Sequence, residues 1–308
     1  MYSTLIQMSV LITGGIFWRI AKPLGLEADH TRKVLTTIVY YFFLPAMVLE
    51  VLWHADIGWH SLNFTLLVVS SILFAMLLIG SIGKACHFER KSLGTIILAA
   101  TFPNVTYLGL PVLEQTYGHW ARSVVIQIDL FATAPLVFTV GIMLVRHYGQ
   151  DISSVRQPLW SFLNTPPFWA AGIAVALNVF ELASPIWLED TLKLLSGAVV
   201  PLMLFSLGLA LNWQSLRLRN FPFIAPIILV KLVAMPLFAM HIVDYLSLAS
   251  HVKQAAVLDL AMPSMVLGVV LCDRYQLDSS MYAMAVTVTT GLSLLTLPFW
   301  YQLLMTRF

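Results

Sequence analysis

Long apolar runs, cut by short polar or charged breaks, make up most of the chain. Ten of them approach the length of about 20 residues that a helix needs to cross hydrocarbon. They cover residues 3–20, 33–53, 61–83, 93–117, 121–145, 164–182, 190–211, 221–243, 253–272 and 280–303. The pattern predicts an all-α membrane protein of ten transmembrane helices. Unbroken runs of this length exclude a barrel, whose strands alternate over about 10 residues. The connections leave no room for a soluble domain or a low-complexity linker. The stretch MYSTLIQMSVLITGGIF lacks a basic leader and an A-x-A site, so it reads as the first span rather than a removable signal.

Composition agrees. Of 308 residues, 59% are hydrophobic and 10% charged, with a mean hydropathy of +0.85, against about 25% charged in soluble domains. Such a chain is solvated by the lipid bilayer, which excludes a cytoplasmic enzyme. With only Cys86 and Cys272, a secreted disulfide scaffold is excluded too. Seventeen basic and 15 acidic residues nearly cancel, so no nucleic-acid partner is expected.

The basic residues also sort by face. Connections after spans one, three, five, seven and nine hold twelve: Arg19, Lys22, Arg32, Lys33, Lys84, Arg90, Lys91, Arg146, Arg156, Arg217, Arg219 and Arg274. The opposite face receives four, Arg122, Lys193, Lys253 and Arg307, and Lys231 falls inside span eight. By the positive-inside rule the odd connections are cytoplasmic and both termini lie outside, in a plasma or bacterial inner membrane.

Five spans per half would make a repeat of five inverted in the membrane, as in many secondary transporters. Residues 43–49, FLPAMVL, resemble residues 199–205, VVPLMLF. Likewise Pro103-Asn104-Val105-Thr106 with Leu108-Gly109 resembles residues 263–268, PSMVLG. The expected halves are residues 1–156 and 157–308, with broken helices at spans four and nine. Pro103 and Pro111 bracket a polar stretch, Asn104 to Tyr107, which is hard to keep as a continuous lipid-facing helix. Unwound backbone at membrane depth needs protein or a water-filled cavity around it.

A half-helix N-terminus presents free N–H groups and about half a positive charge, enough to help hold a carboxylate without an arginine. Asn104 and Thr106 add amide and hydroxyl donors beside Pro103, and Ser264 beside Pro263 offers another from the opposing break. The alternative for Asn104 is a cap on carbonyls freed by the proline. Ionisable groups inside spans are costly and default to functional candidates. Asp259 lies about one turn before Pro263, Asp129 lies in span five and Lys231 in span eight. Asp259 is suitably placed to carry a coupled proton, or else forms a structural ion pair with Lys231. Lys231 can alternatively supply a fixed charge in place of a coupling cation, H+ or Na+. Glu50, near His54 and Asp56, reads as a solvated helix end.

Other features read as packing or anchoring. Trp18, Trp53, Trp59, Trp120, Trp160, Trp187, Trp213 and Trp300 fall mostly near span ends, as interfacial anchors do. Gly14-Gly15, Gly80-Ser81 with Gly83, and Gly197-Ala198 allow close helix packing. Without an HExxH pattern, a glycine-rich phosphate loop or a G-x-S-x-G elbow, neither a metal site, an organic cofactor nor catalysis is expected.

The run Phe102-Pro103-Asn104-Val105-Thr106-Tyr107-Leu108-Gly109-Leu110-Pro111 resembles the fourth-helix signature of the auxin efflux carrier family, with Pro103 and Thr106 where bacterial members usually carry glycine. The resemblance extends to residues 43–46 and 205–211 and covers essentially the full length. It implies a scaffold of spans one, two, six and seven and a transport unit of spans three to five and eight to ten. It further implies elevator-type alternating access, homodimerisation through the scaffold, and small organic anions as substrates, auxin or carboxylates such as malonate and malate. The architecture is similar to that of sodium-coupled bile acid symporters. The expected function is therefore secondary transport of a small organic anion. The rival is a membrane receptor that keeps the fold without translocating.

Overall fold

The computed structural model describes residues 2–55, 59–149, 165–211 and 220–308. Arg156, Arg217, Arg219, Asp56, Trp160, Trp213 and the boundary between the two expected halves lie outside the described residues. Those described form helices α1 (Tyr2–Ala21), α2 (Ala28–Trp53), α3 (Trp59–Ala85), α4 (Arg90–Thr101), α5 (residues 105–117), α6 (Ala121–Tyr148), α7 (Pro166–Val179), α8 (Ile186–Ala210), α9 (Phe221–Tyr245), α10 (Ser250–Leu260), α11 (Gly268–Arg274) and α12 (Ser279–Arg307). Among the described residues the only β-type pairing is an isolated bridge between Pro103 and Ser264.

Six of these helices, namely α2, α3, α6, α8, α9 and α12, have the length and apolar character to cross a membrane. The predicted fourth and ninth runs do not form continuous helices. Each is split, α4 from α5 and α10 from α11, at the proline-containing stretches. The outside of the bundle carries large apolar side chains such as Phe17, Leu77, Ile173, Leu194 and Leu295. So much exposed hydrocarbon is what lipid solvates and water does not, and the chain is a multi-pass membrane protein.

Proline shapes the helices locally. Of five π-helical turns among the described residues, four, Val39–Phe43, Val105–Gly109, Asp129–Thr133 and Val230–Ala234, each end two residues before a proline, namely Pro45, Pro111, Pro135 and Pro236; the fifth, Val137–Gly141, follows Pro135. A proline has no N–H to donate and its ring crowds the carbonyl one turn back. Widening that turn by one residue relieves the crowding at the cost of regular geometry. Pro201 and Pro298 sit inside α8 and α12 without such a turn.

Packing gathers the helices into two groups. Helices α1, α2, α7 and α8 lie against one another, and α3–α6 pack with α9–α12. Within the first group α1 and α8 touch backbone to backbone. A Cβ on Gly15 would run into the Phe205 carbonyl oxygen, and one on Gly208 into that of Ile12. The small-residue pair read from the sequence at Gly14-Gly15 thus has its partner on α8, while a Cβ on Gly197 would meet nothing. Replacing Gly208 by valine should force these helices apart and cost about 1–3 kcal/mol through overpacking. A lowered thermal unfolding midpoint in detergent, with Gly197→Ala as the neutral control, checks this.

Candidate functional site

Where the two broken helices meet, each supplies an extended stretch in place of the missing helical turn. The Asn104 N–H donates to the Pro263 carbonyl at 2.8 Å, and the Met265 N–H donates to the Phe102 carbonyl at 3.1 Å. Proline dictates this pairing, because neither Pro103 nor Pro263 can donate and each neighbouring residue is steered from helical to extended backbone. Buried backbone groups that lose a helical partner must find another, and here the two breaks satisfy each other.

The Ser264 hydroxyl completes the junction. It donates to the Ala99 carbonyl at 2.7 Å, one of the carbonyls left open at the end of α4, while the Ser264 N–H donates to the Thr289 hydroxyl of α12 at 3.3 Å. Helix α5 then starts from Asn104, whose carbonyl accepts from Leu108 and Gly109. No side chain caps this end. The Asn104 side chain is 2% exposed, and its amide nitrogen has no hydrogen-bond partner.

A cavity of about 800 Å³ lies against this junction. Its walls come from α2, α7 and α8 on one side, and from α5, α6 and the stretch after Ser264 on the other. Pro103, Asn104, Thr106 and Tyr107 line it, together with Asp129 of α6, Tyr40 of α2 and Met265. At its mouth are Asp29, Arg32 and Lys33, on the first turns of α2. The walls are mostly apolar, so the few polar groups set what can bind and in which orientation. The Thr106 hydroxyl donates to Asp129 Oδ2, which commits its proton and leaves the Asn104 amide as the free donor at the break.

Of the residues singled out from sequence, Pro103, Asn104, Thr106 and Asp129 come together in the cavity. Pro263, Ser264, Asp259 and Lys231 do not line it. Ser264 is fully buried and engaged with α4 and α12, so its expected place facing a substrate gives way to closing the junction. Asp259 sits behind α5, both side-chain oxygens unpartnered and the residue wholly buried. It packs so tightly against the π turn that a Cβ on Gly109 would collide with Oδ1.

Among the described residues no ion pair joins Asp259 to Lys231. The ammonium contacts Met235 Sδ at 3.0 Å instead. Glu50 corrects the reading as a solvated helix end, since it accepts from Ser196 Oγ at 2.8 Å and faces Arg122. Sequence reading passed over Tyr40, Tyr107 and Arg32 as cavity residues. The run Tyr40-Tyr41 with Thr36-Thr37 inside an apolar stretch was the available signal.

Ser264→Ala should leave the Ala99 carbonyl without its donor and lower stability by about 1–3 kcal/mol. Asn104→Ala, which removes an amide donor with no partner, should leave the unfolding midpoint in detergent nearly unchanged. Thermal unfolding of the two variants side by side tests this division between structural and ligand-facing groups.

Comparison with known proteins comes out on one side. The family described as membrane transport proteins matches residues 1–158 and 152–301. A transporter of Methanothermobacter thermautotrophicus is 29% identical over 306 residues, 96% of each chain. One of Methanocaldococcus jannaschii is 28% identical over 306 residues, again 96% of each. The lysosomal cholesterol signaling protein of Mus musculus is 23% identical over 244 residues, 74% of this chain and 28% of its own length.

Proposed function

The chain belongs to the auxin efflux carrier family of membrane transport proteins, and on that premise we propose that it is a secondary transporter of a small organic anion. Family membership and the transporter relatives identify a transporter rather than an enzyme. The observation that carries the substrate reading is the unpartnered Asn104 amide at the head of α5, on the wall of a cavity of about 800 Å³. A buried donor without an acceptor is costly unless a ligand completes it. Beside it, the uncapped first turn of α5 adds N–H groups and the positive end of a helix dipole. Together they fit one carboxylate, with the apolar walls holding the rest of the molecule.

In this reading the ten spans are α1, α2, α3, α4 with α5, α6, α7, α8, α9, α10 with α11, and α12, arranged as two inverted repeats of five. The scaffold is α1, α2, α7 and α8; the remaining helices are the transport unit, which slides against it as an elevator. The separate packing of the two groups supports this division. So does the cavity between them. Basic residues around the α2 end of the cavity, Arg32 and Lys33, make that end cytoplasmic, put both termini outside, and draw an anion towards the mouth. A homodimer through the scaffold, in a plasma or bacterial inner membrane, completes the picture.

Asp259 is the residue proposed to carry the coupling ion, a proton. It lies against the substrate half-helix, so a change in its charge bears directly on α5. The likeness to a mouse protein named for signaling favours one second reading, a receptor that binds in the same cavity without translocating.

Uptake of a labelled carboxylate panel into proteoliposomes, with and without pH and sodium gradients, tests the function. Saturable uptake of at least one carboxylate is expected. Binding without flux for any solute favours the receptor. Asn104→Ala should reduce uptake by about 10-fold or more, the worth of a charge-assisted hydrogen bond of about 1.5–3 kcal/mol, and wild-type kinetics would remove Asn104 from the site. Asp259→Asn should abolish stimulation by a pH gradient while leaving exchange of labelled for unlabelled substrate. Unchanged pH-gradient dependence would return Asp259 to a structural role.

A further inference from the structure

Beyond the blind end of the cavity lies a second polar cluster, on the side away from the basic mouth. Arg122 of α6 donates to Glu114 Oε1 of α5 at 2.5 Å, to Ser196 Oγ of α8 at 2.9 Å and to Glu50 Oε2 of α2 at 3.4 Å. Ser196 Oγ donates to the same Glu50 oxygen at 2.8 Å. His119 Nδ1 reaches Glu114 Oε1 at 3.1 Å from the solvent side. Arg122 and Glu114 are 8% and 9% exposed, so these charges are held largely out of water.

The position of the cluster is the same on all four helices. The cavity lining includes Val48 on α2, Leu110 on α5, Val125 on α6 and Met203 on α8. Glu50, Glu114, Arg122 and Ser196 lie two, four, three and seven residues beyond them, away from the mouth, a displacement of about 3–10 Å at 1.5 Å per residue. Arg122 and Glu114 belong to one packing group, and Glu50 and Ser196 to the other. The contacts of Arg122 with Glu50 and Ser196 therefore cross the boundary between the groups at the point where the cavity is closed, whereas that with Glu114 stays inside one group.

We propose that the cluster of Arg122, Glu50 and Ser196 is a polar latch that seals the outer side of the cavity and holds the transporter in its inward-open state. The inference rests on the two-body reading of the transporter given above. A sliding transport unit carries Arg122 away from Glu50 and Ser196 but keeps Glu114 with it. Glu114 thus keeps the guanidinium paired while the latch is open, so release does not strand a bare cation in a poorly solvated place. Glu50 regains water at the outer end of α2. A ligand or ion gradient that favours the outward state has to exceed only the contacts that cross the boundary. The latch sets the resting balance between the two states without touching substrate.

The test reads state occupancy without needing a substrate. In a Cys86→Ser, Cys272→Ala background, Ser206→Cys places a thiol on the α8 wall of the cavity. A membrane-impermeant maleimide applied to the cytoplasmic side of inside-out vesicles labels it while the cavity is open inward. Adding Glu50→Gln, or separately Ser196→Ala, should lower the ratio of inward-open to outward-open protein about three- to tenfold, the shift expected from losing one partly buried charge-assisted contact, and slow labelling by up to that factor. Both leave the Arg122–Glu114 pair intact, so the protein should still fold. Glu114→Gln, which touches no contact across the boundary, should not slow labelling.

Unchanged labelling in Glu50→Gln and Ser196→Ala, or equal slowing in Glu114→Gln, overturns the latch. Failure to find a transported carboxylate overturns the substrate reading only, because labelling rates report the two states whatever the cargo.

Discussion

Two backbone hydrogen bonds, Asn104 N–H to Pro263 and Met265 N–H to Phe102, are the constraint on which the rest of this structure depends. A helix interrupted inside a membrane protein strands N–H and C=O groups where water cannot reach, and each stranded group costs several kcal/mol. Here two interruptions are brought face to face so that each completes the other. That requirement fixes where α4, α5, α10 and α11 can lie. It also places the start of α5, with its uncapped first turn and the Asn104 amide, on the wall of the cavity. The junction is thus both the point where regular helix gives way and a place where an unpartnered donor lies on the cavity wall.

The surrounding packing is organised to tolerate that junction. Ser264 and Thr289 tie it to α4 and α12, and Gly109 lets α10 approach the π turn of α5 so closely that Asp259 meets its backbone. A substituent at Gly109 would push Asp259 away and decouple the buried carboxylate from the half-helix. Close contact between a potential ion carrier and the element that faces the cavity gives a physical route by which ion and substrate can influence each other. Neither needs to touch the other, since both act on the position of α5.

Much of this was legible in the chain, for identifiable reasons. Apolar runs report lipid exposure directly, and a proline inside such a run reports a lost hydrogen bond, so Pro103, Pro111 and Pro263 mark the breaks in the sequence itself. The π turns were not legible as such, although each of four stands two residues before a proline; the sequence signal was present and its local geometry was unread. Ser264 shows where reading by analogy stops. Its place opposite Asn104 in the repeat pointed to a ligand, but direction depends on which neighbour lacks a donor, and the Ala99 carbonyl was that neighbour. Glu50 was misread for a related reason: its partner Arg122 could not be seen from it. They stand 72 positions apart in the chain, and no periodicity within either helix announces the other.

The polar groups divide according to the boundary they respect. Asn104, Thr106 and Asp129 face the cavity, Asp259 and Lys231 are sealed within one helix group, and Glu50 and Ser196 reach across to Arg122. If the groups slide as proposed, charges sealed within one group keep their surroundings and can tune affinity without opposing motion. Charges that cross the boundary would then have to be exchanged for water or another partner, and their strength would set how readily the groups move. In a chain with only 10% charged residues, this division separates the few interior charges by place: those on the cavity wall, those sealed within one helix group and those that cross between groups.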